Sequence, residues 1–174
     1  MDEFFARAAT APVSGSPLAV TRSASHLLAD DPRSAGVARR RTARFWNREE
    51  PGLLGTVRLI VSELVTNALV HGHPPLRLVL IEGFATTGKP LLRIEVWDRG
   101  RVDAVTSTDP DHDAECGRGL MLVAELADSW GVVPAPARGG TCAWVELGVP
   151  GAVPGCSRTE PHTAAAPPRA GLPR

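Results

Sequence analysis

The chain has 174 residues, 43% of them hydrophobic, enough for one domain with a real core and too few for two comfortable ones. Nineteen basic residues balance nineteen acidic ones, so no bulk positive field draws the protein to nucleic acid or anionic lipid, and neither is expected as a direct partner. Three cysteines, Cys116, Cys142 and Cys156, are an odd number without CxxC spacing; they argue against a disulfide framework or a zinc site and read as free thiols.

The N-terminus, Met1 to Phe5, lacks the basic region and apolar core of a signal peptide, and no later apolar run reads as long enough to cross a bilayer. A cytoplasmic location is expected. Thr10 to Pro17 and Pro150 to Arg174 are crowded with Pro, Ala, Gly and Ser and show no periodicity. The expected organisation is a disordered N-terminal tail over 1–17, one domain over 18–149, and a disordered Pro/Ala-rich tail over 150–174.

Within the domain, Asp31-Pro32 predicts a helix start, with Asp31 as N-cap, Pro32 at the first helical position and apolar residues up to Pro51. After a Pro51-Gly52 break, the stripe from Leu53 to Leu69 predicts a second helix, closed by Gly72 and then Pro74-Pro75. Two alternating segments, Leu76 to Ile81 and Leu91 to Trp97, read as a hairpin pair. Arg99 to Cys116 is a polar, Asp-rich loop. A third helix is expected from about Gly119 to near Gly131, then two strands, Trp130 to Ala135 and Thr141 to Gly148, joined by a turn at Arg138-Gly139-Gly140. Helix, helix, strand, strand, loop, helix, strand, strand predicts an α+β two-layer sandwich, with helices on one face of a mixed, mostly antiparallel sheet.

The second predicted helix holds the most informative residues. Glu63, Asn67 and His71 lie four apart and stack on one face, while Ile60, Val61, Leu64, Val65, Ala68 and Leu69 form a separate buried stripe. The polar ridge therefore needs a use beyond packing. His71-x-His73 lacks a third metal ligand at suitable spacing, and His71 reads instead as a helix-end imidazole near the last carbonyls. Two further signals follow in order: Asp98-Arg99-Gly100 at the end of the second hairpin strand, and Gly117-Arg118-Gly119 at the mouth of the third helix.

In this order the three signals resemble the nucleotide site of the GHKL ATPase superfamily over roughly Leu53 to Leu147. Glu63 to Asn67 is similar to the N box, Val96 to Gly100 to the first glycine box, and Gly117-Arg118-Gly119-Leu120 to the second. The short single domain, Ser62 to Ala68, Gly117 to Leu120 and the Asp31-Pro32-Arg33 lead into an arginine-rich helix most resemble the anti-sigma-factor serine kinases. The first glycine box often continues Asp-x-Gly-x-Gly, whereas Val102 stands at the last position here.

The resemblance implies binding of ATP and Mg2+. It assigns Asn67 as the metal ligand, a neutral oxygen donor that suits a hard cation, and Glu63, one turn earlier, as the base that polarises an attacking hydroxyl. Asp98 would accept from adenine's exocyclic amine and would repel the carbonyl that guanine carries there. Gly100 would let the backbone approach the base, Thr141 would contact the adenine side, and Gly117 and Gly119, with Leu120 following, would offer amides to phosphate oxygens. Arg118 would reach the terminal phosphate. The resemblance further implies phosphoryl transfer to a small anti-sigma-factor antagonist protein, binding to a sigma factor or similar partner, and homodimerisation. A second reading keeps the nucleotide but not the turnover: an ATP-binding module acting by partner binding alone.

Overall fold

The computed structural model describes residues 18–46, 51–100, 116–135 and 140–150. Their chain order is β1 (Leu18–Leu28), α1 (Ser34–Phe45), α2 (Pro51–His71), β2 (Leu76–Ala85), β3 (Pro90–Asp98), α3 (Cys116–Leu126), β4 (Ser129–Ala135) and β5 (Gly140–Gly148). The five strands form one sheet in the order β1-β2-β3-β5-β4, and every neighbouring pair is antiparallel. The α+β expectation holds, with the sheet antiparallel throughout rather than mixed. The two expected tails fall outside the described residues, apart from Pro150.

The side-chain period of two separates the faces of the sheet. Leu76, Leu78 and Leu80 of β2, Leu92, Ile94 and Val96 of β3, and Val145 and Leu147 of β5 pack with Ala38 and Phe45 of α1, with Val57, Ile60, Val61, Leu64, Val65 and Ala68 of α2, and with Val123 of α3. This is the main core, and the apolar stripe of α2 fills its centre. By length and composition alone, Gly52–His71 is long and apolar enough to cross a bilayer, contrary to the expectation from the sequence. Here its stripe is spent on the sheet.

The other face holds a smaller cluster, Val79, Ile81, Trp97 and Cys142, and every described residue in it belongs to a strand. Beside it lies a buried ionic group. Arg93 bonds Glu95 and Glu146, each at 2.7 Å, and its guanidinium stacks 4.5 Å over the Trp144 ring, while Trp97 Nε1 donates to Glu95 at 3.0 Å. Buried charges persist only when paired in this way.

Three local readings need correction. β1 was not anticipated as a strand: it is an edge strand whose residues are mostly exposed, so its inward positions Ala24, His26 and Leu28 carry a weak hydrophobic alternation. Asp31 does not cap a helix. Its carboxylate accepts from the Arg33 amide at 2.7 Å and its carbonyl from the Ser34 amide at 2.8 Å, making a turn that leads into α1, which begins at Ser34 and ends at Phe45. Pro51 opens α2 instead of standing in a break before it, a position where its missing N–H costs nothing.

Candidate nucleotide site

Residues from the ends of three elements, α2, β3 and β5, converge at the C-terminal end of β3. Asp98 is the last residue of that strand and is 7% exposed, directly opposite Thr141 of β5. The Gly100 amide donates to the Asp98 carboxylate, and the Thr141 hydroxyl donates to the Gly100 carbonyl at 2.7 Å. Asp98, Gly100 and Thr141 are thereby one hydrogen-bonded unit. The His73 amide also donates to the Asp98 carboxylate, and the Arg99 amide donates to the His73 carbonyl at 2.8 Å. Burial pushes the Asp98 carboxyl above its ordinary value of 3.8, and the Gly100 and His73 amides together with the His73 imidazole pull it partly back. A carboxylate has about four acceptor positions, so two amides leave it able to take a further donor.

Glycine surrounds this acid for reasons of space. A Cβ on Gly72 would lie 2.7 Å from Asp98 Cγ and 2.5 Å from the Ala68 carbonyl, and one on Gly100 would lie 2.6 Å from Asp98 Oδ1. A Cβ on Gly140 would collide with the Asp98 carbonyl. Gly72 was expected to close α2, and the helix ends one residue before it, at His71. Its amide still makes a 3.1 Å bond to the Ala68 carbonyl, and among the described residues the positive-φ glycine is Gly88. Its lack of a side chain also serves Asp98.

The second grouping lies at the start of α3. Gly119 faces the Glu63 carboxylate of α2 so closely that a Cβ there would sit 2.5 Å from Glu63 Oε2. α3 begins at Cys116, not at Gly119, so Gly117, Arg118 and Gly119 occupy its first turn. That turn is where helical N–H groups lack intrahelical partners, the property on which the expected anion cradle rests. Leu120 is half-buried in the same helix, and the Arg118 side chain lies outside the described residues, as does Val102.

α2 links the two groupings. It carries Glu63 against Gly119 at one level, Asn67 half-buried one turn later, and Gly72 against Asp98 just past its end. Nine residues at 1.5 Å each separate the two contacts by about 13 Å. The structure therefore brings Glu63 to Gly119, and Asp98 to Gly100 and Thr141, with Asn67 between the two sets along α2; among the described residues no hydrogen bond joins Asn67 to either. Sequence reasoning missed Gly72, His73 and Gly140 as neighbours of Asp98. The Gly-x-Pro-Pro break after α2 was the one available signal, and it was spent on helix termination.

An antiparallel sheet layered by helices on one face, with the long central helix carrying the polar ridge, defines a GHKL-type ATPase domain. The chain belongs to the histidine kinase-like ATPase domain family, whose sequence model matches residues 28–147, from the end of β1 almost to the end of β5. Membership implies ATP binding. No curated protein matches the chain.

Proposed function

We propose that this chain is an ATP- and Mg2+-dependent regulatory serine kinase of the anti-sigma-factor type, which phosphorylates a small antagonist protein and binds a sigma factor or similar partner, as a homodimer in the cytoplasm. The observation that carries this reading is the placement of Glu63 against the first turn of α3 while the same helix ends against Asp98. A base, a phosphate-binding turn and a buried acid are then arrayed along one rigid element.

The residues present fit the ligands. Asp98, buried with acceptor capacity left over, suits the exocyclic amine of adenine and disfavours guanine. Asn67, a half-buried neutral oxygen donor one turn from Glu63, suits Mg2+. Mg2+, when bound, neutralises charge on the phosphates. Glu63 takes the proton from the serine hydroxyl as that oxygen bonds to the γ-phosphorus and the bond to the ADP oxygen breaks. Gly117 and Gly119, without side chains, leave the amides of the first turn open to the phosphate oxygens. Arg118, in the same turn, is the residue assigned to the terminal phosphate by the resemblance.

Purified protein incubated with ATP, Mg2+ and candidate antagonist domains is expected to yield phosphoserine, and Glu63→Ala to abolish it. Unchanged ATP affinity and Mg2+ dependence in Asn67→Ala would overturn the site assignment. Val102, standing where the first glycine box often has its second glycine, favours one alternative: a catalytically weak module that grips its partner when ATP is bound. In that case Glu63→Ala retains ATP-dependent partner capture, and no acceptor is phosphorylated by the wild type.

A further inference from the structure

The segment just past α2 does more than end a helix. Gly72 and His73 lie against the Asp98–Gly100 segment through two main-chain links, the His73 amide to the Asp98 carboxylate and the Arg99 amide to the His73 carbonyl. Close approach requires Gly72, because a Cβ there would overlap the Asp98 side chain. This tether fixes where the next side chain goes. His73 Nδ1 comes within 3.6 Å of the position a Gly100 Cβ would occupy, yet the residue is exposed and no hydrogen bond among the described residues engages its imidazole. An exposed aromatic ring is thus held beside Gly100, within electrostatic reach of Asp98.

We propose that His73 is a nucleotide-contacting residue, its imidazole lying against the purine that Asp98 and Gly100 receive. The inference rests on the nucleotide reading of Asp98 given above. A flat ring at this place supplies a stacking surface, and such surfaces accept any nucleobase because each has a π-face. His73 therefore contributes affinity for the base, while selectivity between adenine and guanine stays with Asp98.

Calorimetric titration of the full chain tests this with ATP, ADP and inorganic tripolyphosphate as probes. His73→Ala is expected to weaken ATP and ADP alike by about tenfold, to leave tripolyphosphate binding unchanged because that probe has no base, and to leave the unliganded melting temperature where it was. His73→Phe is expected to restore most of the lost affinity, which a merely structural role would not do. The inference is overturned if His73→Ala binds ATP as the wild type does while Asp98→Asn loses it; the nucleotide reading then stands. It is also overturned if tripolyphosphate weakens as much as ATP. If the wild type binds no ATP, both fall.

Discussion

Two glycines press against carboxylates at opposite ends of the same stretch of chain, and they differ in what stands behind the carboxylate. Gly119 meets the far end of Glu63, a flexible side chain on a half-buried position of α2. Gly72 meets Asp98, a buried acid held by two amides, and also the fixed carbonyl of Ala68. The Glu63 contact can yield to a bound group by a rotamer change. The Asp98 contact cannot. The contrast suits a site that must hold one part of its ligand still while chemistry proceeds at the other, since proton transfer needs a base free to approach its partner and recognition needs a preorganised acceptor.

Substitutions can break this contrast, and the largest effect belongs to the yielding end. Glu63→Gln is expected to lower phosphoryl-transfer turnover by roughly 10²- to 10⁴-fold with ATP affinity nearly intact, as read by single-turnover assay beside calorimetry. A parallel loss of affinity would mean that Glu63 holds nucleotide rather than acting as base. Asp98→Asn should weaken ATP by about 10- to 100-fold, the cost of losing a charged acceptor, and should narrow the preference over GTP.

Asp98 also sets a pH dependence. Its carboxyl is raised in the folded state above the 3.8 that it has when exposed, so the folded chain holds that proton where the unfolded chain has released it. Stability from this group is present below 3.8 and is lost as pH rises through the raised folded value. Denaturant titrations of the wild type should show that decline with rising pH, and Asp98→Asn should lack it. ATP affinity should move the other way, rising across the same window as the acceptor ionises.

Substitutions that act on packing and hydrogen bonding give the next effects. Gly72→Ala forces a methyl onto backbone and a buried acid and is expected to cost about 1–3 kcal/mol of stability, measured by chemical denaturation. Thr141→Val removes the hydroxyl that bonds the Gly100 carbonyl inside the protein and should cost about 1 kcal/mol, with a small loss of ATP affinity. Gly119→Ala comes last on this scale. Displacing the tip of Glu63 should change stability by less than about 0.5 kcal/mol while turnover drops. If Gly119→Ala destabilised as much as Gly72→Ala, the two ends would be equally rigid and the contrast would fail.

Much of this was legible in the chain because its signals are local. The three-and-four spacing of Ile60 to Leu69 marks α2 and its buried side, and the same helix puts Glu63 and Asn67 one turn apart whatever else folds around it. β2, β3 and β5 announce themselves by alternation, since one face of each packs on helices. β1 did not, because an edge strand buries little and its pattern is mostly small and polar residues. Asp31 misled for a related reason: the same side-chain acceptor that caps a helix also closes a turn one residue earlier.

What the amino-acid order settled was therefore the elements other than β1 and the polar ridge of α2, both products of periodicity within a single segment. The surroundings of Asp98 were decided only when residues 72, 98, 100 and 140–141 met across the fold. Nothing in the spacing of Gly72 or His73 foretold that meeting. Contacts between distant segments depend on how helix and sheet pack against a shared core, and that packing has no signature in the local run of residues.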